Sequence, residues 1–128
     1  MANILIVEDE QALSDAYRMI LEKSKHHVRV AQNGADAITE AELDEPELIL
    51  LDLRMPTMDG VEFLRAYNLK AKHPNVRVIV FSNYDMQDEI DEAYSLGADR
   101  YVLKAWASPK ELIQLVDSAL TTPKEGRH

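Results

Sequence analysis

The sequence has no cysteine, few basic residues and no long hydrophobic run. The lack of cysteine excludes disulfides, thiolate nucleophiles and cysteine-based zinc sites. No apolar stretch approaches the roughly 20 residues that span a bilayer, and acidic residues follow the first apolar run too soon for a secretory signal. We therefore expect a cytoplasmic protein without membrane contact. A formal net charge of -9 also opposes direct binding to nucleic acid, whose phosphates attract basic residues.

The length and composition are those of one folded domain. The chain of 128 residues is long enough to enclose a single hydrophobic core but not two. Hydrophobic residues make up 46% and charged residues 29% of the chain, which is typical of a soluble folded protein. We expect the domain to occupy residues 1–121 and a polar tail to follow at 122–128.

Five short apolar runs alternate with stretches long enough for helices. The runs, each predicted to be a strand, are 4–7, 28–31, 48–51, 76–81 and 101–103. This alternation predicts right-handed crossovers onto a parallel sheet that is covered by helices on both faces. The second run alternates in polarity at Val28, Arg29 and Val30, so we expect it at an edge of the sheet.

Several helix starts carry sequence signals. Ser108, Pro109 and Glu111 combine a capping hydroxyl, a proline at the first helical position and an acid three residues after the cap. The segments 59–62 and 33–36 have the same spacing from cap to acid. Four or five helices are expected.

Polar residues follow four of the predicted strands at the point where each strand ends. Glu8 and Asp9 follow the first run, Asp52 follows the third, Ser82 the fourth and Lys104 the fifth. Ligands of open parallel sheets bind beyond the carboxyl ends of the strands. If the first and third strands are neighbours, three carboxylates meet in one crevice.

Three carboxylates at such short range need a cation, because each raises the proton affinity of the others. Their hard oxygen atoms suit Mg²⁺, which usually completes its shell with water and a phosphate oxygen. Asp52 is then the candidate phosphoryl acceptor, beside the charge-balancing ammonium of Lys104. The Ser82 hydroxyl is placed to donate a hydrogen bond to a phosphoryl oxygen. These residues predict a switch operated by phosphorylation.

The chain resembles the response-regulator receiver family of two-component signal transduction. Five sites match in order along nearly the whole chain: Glu8-Asp9, the segment DLRMPTMDG at 52–60, Ser82, Tyr101 and Lys104. The resemblance implies an α/β, flavodoxin-like, doubly wound fold. Its parallel sheet would have five strands in the order 2-1-3-4-5, with five helices.

The resemblance also implies partners and metal ligands. A sensor histidine kinase or a histidine phosphotransfer protein would supply the phosphoryl group from a phosphohistidine, and an unknown downstream protein would respond. Asp9 and Asp52 would bind Mg²⁺ directly, Glu8 through water and Arg54 through its carbonyl oxygen. Such a domain catalyses its own phosphorylation and dephosphorylation but serves mainly as a switch.

Further roles follow from the same resemblance. Ser82 and Lys104 would contact the phosphoryl group. As Ser82 moves toward the phosphoryl group, Tyr101 would turn inward. This movement would reshape the surface of the fourth helix, fifth strand and fifth helix. Arg54 and Tyr84 would set how fast water removes the phosphoryl group, and their bulk predicts slow hydrolysis.

Two residues depart from the family pattern. Ala105 follows Lys104 where the family usually has proline in a cis peptide, and a cis bond before a non-proline residue costs about 3 to 4 kcal/mol. Asn83 follows Ser82 where the family prefers a very small residue, which predicts slower access to Asp52. A receiver-like interaction module that is not phosphorylated therefore stays open as an alternative.

Other functions fit the sequence less well. A flavodoxin that binds flavin needs a phosphate loop rich in Ser, Thr or Gly after the first strand, where this chain has acids at 8–10. A phosphatase of the haloacid dehalogenase class needs a second Asp at the position of Arg54. One kind of receiver dimer pairs acids on the fifth strand with arginines on the last helix. This chain has Arg100 on the strand side and no arginine at 112–120, so that dimer is disfavoured.

The histidines show no functional pattern. His26, His27 and His73 lie in polar surroundings, with no spacing that would gather them into a metal site. We therefore predict that all three are surface residues.

Overall fold

The computed structural model describes residues 2–55, 57–82, 87–103 and 108–121. Five strands form one parallel sheet: β1 Asn3–Val7, β2 His27–Ala31, β3 Leu48–Leu51, β4 Arg77–Ser82 and β5 Arg100–Leu103. Their order is β2-β1-β3-β4-β5, which confirms the predicted topology and the edge position of β2.

Five helices accompany the strands: α1 Gln11–Lys23, α2 Gly34–Leu43, α3 Gly60–Tyr67, α4 Gln87–Ser95 and α5 Pro109–Thr121. A single helical turn, Leu69–Lys72, continues α3 beyond Asn68, whose left-handed backbone interrupts the helix. Every predicted strand agrees with the structure to within one residue at each end. Among the described residues, no helix combines the length and the hydrophobicity needed to cross a membrane.

The sheet separates two hydrophobic cores, because successive residues of a strand point to opposite faces. Ile4 and Ile6 pack with α1 and α5 on one face, whereas Leu5 and Val7 pack with α2, α3 and α4 on the other. The same alternation continues through β3 and β4, whose residues are almost all buried. Burial on both faces explains why these strands read as continuous apolar runs.

Side-chain caps begin three helices at the predicted positions. Asp59 and Glu62 cap α3 reciprocally, each side chain accepting the other's backbone N–H at 2.9 and 3.0 Å. Ser108 and Glu111 do the same at α5, at 3.2 and 3.0 Å. The Asn33 side chain accepts a backbone N–H from the first turn of α2 at 2.8 Å. These caps fix where each helix leaves the loop that precedes it.

The prediction of surface histidines was wrong for two of the three. The His26 side chain is 8% exposed, and its Nδ1 accepts the backbone N–H of Ala2 at 3.2 Å. The His73 side chain is 18% exposed and stacks on Tyr67, with 3.9 Å between the ring centroids. Only His27 of the three is exposed. Tertiary packing of the neighbouring helices, which no local pattern reveals, covers the other two.

Candidate functional site

The pairing of β1 with β3 brings the predicted acidic residues together. Val7 lies opposite Leu51 in the parallel register, and the backbone N–H of Asp52 donates to the Val7 carbonyl oxygen at 3.0 Å. Glu8 and Asp52, the next residues, therefore leave the sheet at the same level. Carboxylate oxygens of Glu8, Asp9 and Asp52 all lie within 4.8 Å of one another.

Two of these three carboxylates are buried. Glu8 is 2% and Asp52 6% exposed, whereas Asp9 is exposed and marks the side on which solvent meets the cluster. Buried carboxylates require compensation of their charge, because leaving water is costly for an ion. Three oxygen donors at this spacing suit Mg²⁺, which prefers oxygen ligands and retains several waters.

Backbone N–H groups orient both buried carboxylates. The Arg54 N–H donates to Oδ1 of Asp52 at 3.1 Å, and the Glu10 N–H donates to Oε2 of Glu8 at 3.2 Å. Glu10 is the N-cap residue of α1, and its side chain makes no capping hydrogen bond. The two buried acids are therefore held in place before any ligand arrives, which is the arrangement expected of a preorganised site.

Gly60 allows the start of α3 to lie against the backbone of Asp52. A Cβ atom at this position would lie 2.6 Å from the Asp52 carbonyl oxygen and 2.8 Å from Cα of Leu53. The Gly60 N–H also donates to the Leu53 carbonyl oxygen at 3.0 Å. Only glycine fits this contact, which explains the glycine that ends the segment 52–60.

Ser82 and Tyr101 follow on the neighbouring strands. Ser82 ends β4 and is fully buried, and the pairing of Leu51 with Val80 places it one residue beyond the level of Asp52. Tyr101 on β5 lies opposite Val80 and is half-buried. The fold therefore places a hydroxyl one strand away from Asp52 and an aromatic side chain on the strand after it.

Some predicted site residues lie outside the described residues. Lys104, Asn83 and Tyr84 fall in the segments 83–86 and 104–107, as does the peptide between Lys104 and Ala105. Their roles stay predictions.

The Arg54 side chain reaches α4. Its Nη2 atom lies 2.7 Å from Oε2 of Glu89, and the two side chains are 47% and 32% exposed. No sequence pattern indicates Glu89 as a partner of Arg54, because 35 residues separate the two and no helical or strand spacing relates them.

A cleft of about 450 Å³ lies between α1, β2 and α2. Mostly polar side chains line it, among them Arg18, Asp15, Asp36 and Glu40. The three clustered carboxylates are not part of this lining, so the cleft and the acidic cluster are separate features.

Sequence comparison relates this chain to known proteins. The family model described as the response regulator receiver domain matches residues 4–117. Sporulation initiation phosphotransferase F of Bacillus subtilis is 32% identical over 115 residues, which cover 90% of this chain and 88% of that protein. The nitrate/nitrite response regulator protein NarL of Escherichia coli K12 is 34% identical over 120 residues, 92% of this chain. The chain spans only 54% of NarL and about half of several other curated relatives.

Solved structures agree with this relationship. A CheY-like response regulator receiver domain protein of Methanospirillum hungatei JF-1 has a TM-score of 0.85 and 27% identity, with 91% of both chains covered. Chemotaxis protein CheY4 of Vibrio cholerae also has a TM-score of 0.85, at 22% identity, over 94% of this chain and 99% of that one. At 22% identity, the similarity to CheY4 shows a shared fold only. Because the family model matches residues 4–117 and the acidic cluster lies at the ends of β1 and β3, this chain belongs to the response regulator receiver domain family.

Proposed function

We propose that this receiver domain accepts a phosphoryl group on Asp52 with the help of Mg²⁺. The donor is a phosphohistidine on a sensor histidine kinase or a histidine phosphotransfer protein, and a downstream protein binds the altered surface. The observation that carries this function is the meeting of the Glu8, Asp9 and Asp52 carboxylates within 4.8 Å. The receiver occupies residues 1–121 in the cytoplasm, followed by the tail at 122–128.

The chemistry of the donor set supports a Mg²⁺ site. Asp9 and Asp52 would hold the ion directly, Glu8 through water and Arg54 through its carbonyl oxygen. The bound ion would neutralise the carboxylates and the negative charge of the incoming phosphoryl oxygens. Without it, the acidic cluster repels the phosphoryl group that Asp52 is to accept.

The transfer itself requires a carboxylate held in line with the donor. An Asp52 carboxylate oxygen attacks phosphorus and forms the P–O bond of an acyl phosphate, while the P–N bond to the donor imidazole breaks. The bonding electron pair leaves with the imidazole nitrogen. The Lys104 ammonium balances charge on the phosphoryl oxygens, and water later hydrolyses the acyl phosphate at a rate set by Arg54, Asn83 and Tyr84.

The signal leaves the site through Ser82 and Tyr101. The Ser82 hydroxyl moves to donate to a phosphoryl oxygen, a hydrogen bond that exists only after phosphorylation. Tyr101 turns inward into the space that opens, and the surface of α4, β5 and α5 changes. Two observations support this: Ser82 is buried at the end of β4, and Tyr101 is half-buried on the neighbouring strand.

Acetyl phosphate, a small phosphoryl donor, tests the function without a partner protein. We expect intact-protein mass spectrometry to show one added phosphoryl group in the presence of Mg²⁺. A chelator removes the product, and so does Asp52→Asn, which keeps the side-chain volume but removes the nucleophilic charge. Asp15→Asn, a change of an exposed acid on α1, is the matched control and keeps full labelling.

Either of two results would contradict this function. Labelling that persists in Asp52→Asn places the acceptor on another residue. An unlabelled wild-type chain in Mg²⁺ supports the alternative of a receiver-like interaction module that is not phosphorylated.

A further inference from the structure

Arg54 connects the acceptor carboxylate to α4. Its backbone N–H donates to Oδ1 of Asp52 at 3.1 Å, while its guanidinium Nη2 lies 2.7 Å from Oε2 of Glu89. Two Cα steps of about 3.8 Å separate Arg54 from Asp52, a distance that an arginine side chain can bridge. One residue therefore contacts the acceptor through its main chain and α4 through its side chain.

Phosphorylation of Asp52 would place a second anion within two residues of Arg54. A phosphoryl group adds negative charge and three strong acceptor oxygens, and its geometry suits a two-point contact with arginine. The existing pair with Glu89 is partly solvated, since the side chains are 47% and 32% exposed. Exposed ion pairs of this kind contribute little to stability, so a stronger anion nearby displaces them easily.

We propose that Glu89 is a positioning residue that competes with the phosphoryl group for the Arg54 guanidinium. Before phosphorylation, Glu89 holds the guanidinium on α4. After phosphorylation, the guanidinium binds the phosphoryl oxygens, and α4 loses one of its contacts with residues 52–54 after β3, here called the acceptor loop. This role rests on the proposed phosphorylation of Asp52.

The competition acts in both directions. Glu89 weakens the binding of a phosphoryl group at Asp52, and a phosphoryl group weakens the hold of Arg54 on Glu89 by the same factor. Glu89 thus sets both how readily Asp52 keeps its ligand and how firmly α4 stays in its unphosphorylated position.

The same helix supplies a matched control. Glu92 lies three residues after Glu89, on the same side of α4, and forms an ion pair with Arg65. Arg65 stands in the last turn of α3, at the other end of that helix from the acceptor loop. Neutralising Glu92 therefore removes a similar ion pair without changing the partner of Arg54.

The test measures how tightly beryllofluoride, a mimic of the phosphoryl group on aspartate, binds the full chain in Mg²⁺. Fluorine nuclear magnetic resonance follows the bound form. We expect Glu89→Gln to bind about 2- to 5-fold more tightly than wild type, because the guanidinium no longer has a charged competitor. We expect Glu92→Gln to bind beryllofluoride as tightly as wild type. High salt should reduce the difference in affinity between wild type and Glu89→Gln, because salt screens exposed ion pairs.

A double-mutant comparison separates positioning from a general effect on the fold. In an Arg54→Ala background, Glu89→Gln leaves the affinity for beryllofluoride unchanged, since no guanidinium is left to release. Equal affinities of wild type and Glu89→Gln overturn this role of Glu89, and so does a gain that persists without the arginine. A wild-type chain that binds no beryllofluoride overturns the proposed phosphorylation, and this role with it.

Discussion

At the scale of single residues, the surroundings of Tyr67 make stability depend on pH. Tyr67 is 2% exposed, and its hydroxyl has no hydrogen-bond partner within the described part of the chain. The rings of Phe63 and His73 stack against it, at centroid distances of 5.4 and 3.9 Å. Burial, with smaller contributions from Glu45 and Glu42, raises the pKa of Tyr67 from 10.0 to about 12.

This pKa shift predicts a loss of stability in alkali that Tyr67→Phe removes. Above pH 10 the unfolded chain releases the Tyr67 proton while the folded chain keeps it, so the free energy of unfolding falls until pH reaches about 12. The loss from this group is about 3 kcal/mol. Urea unfolding across this pH range should show a shallower decline in Tyr67→Phe.

At neutral pH the same variant should be as stable as wild type to within about 1 kcal/mol, because it deletes a hydroxyl without a partner among the described residues. An identical alkaline decline in both proteins would contradict the assigned pKa.

Single residues also show what the sequence could reveal. Glu8, Asp9 and Asp52 were predictable because each follows an apolar run, and strand ends are where ligands of such sheets bind. The contact between Arg54 and Glu89 was not predictable, since it depends on how α4 packs beside the acceptor loop. The burial of His73 depends likewise on the tertiary position of Tyr67.

At the scale of secondary-structure elements, the start of α3 packs against the backbone of Asp52 and Leu53, the two residues that follow β3. Gly60→Ala would push a methyl group to within 3.0 Å of backbone atoms of Asp52 and Leu53. We expect a loss of about 1–3 kcal/mol in the free energy of unfolding, since the backbone at the start of α3 and the backbone of Asp52 and Leu53 have to move apart. We also expect weaker Mg²⁺ binding, because Asp52 itself is displaced; thermal unfolding with and without Mg²⁺ measures both effects.

Gln11→Ala is the control for this change, because Gln11 is the first residue of α1 and is exposed. It should leave both stability and Mg²⁺ binding nearly unchanged. A Gly60→Ala protein with the stability of wild type would show that the close approach of α3 is not needed.

Element boundaries were predictable from the sequence, but the order of the strands was not. Apolar runs and caps such as Ser108 mark where elements begin, because they reflect local burial and local hydrogen bonds. Periodicity does not show which strands lie side by side, and the 2-1-3-4-5 order came from the family resemblance. The adjacency of β1 and β3, on which the acidic cluster depends, is thus a property of the whole sheet.

At the scale of the whole molecule, net charge and clustered charge have different consequences. A net charge of -9 attracts any divalent cation loosely, and salt screens this attraction. The proposed site differs: the clustered carboxylates at the ends of β1 and β3 would bind one cation at one place, where two of them are buried and oriented by backbone N–H groups. Variants that change the net charge equally, inside and outside the cluster, separate the two effects.

Calorimetric titration of Mg²⁺ into wild type, Asp9→Asn, Asp52→Asn and Glu22→Gln makes this comparison directly. Glu22 is an exposed acid near the end of α1, so each variant removes one negative charge. We predict a single site in wild type and Glu22→Gln, weakened about tenfold or more in Asp9→Asn and Asp52→Asn because a charged ligand is lost. Equal weakening in all three variants, or none in the two cluster variants, would contradict a cation site built from Glu8, Asp9 and Asp52.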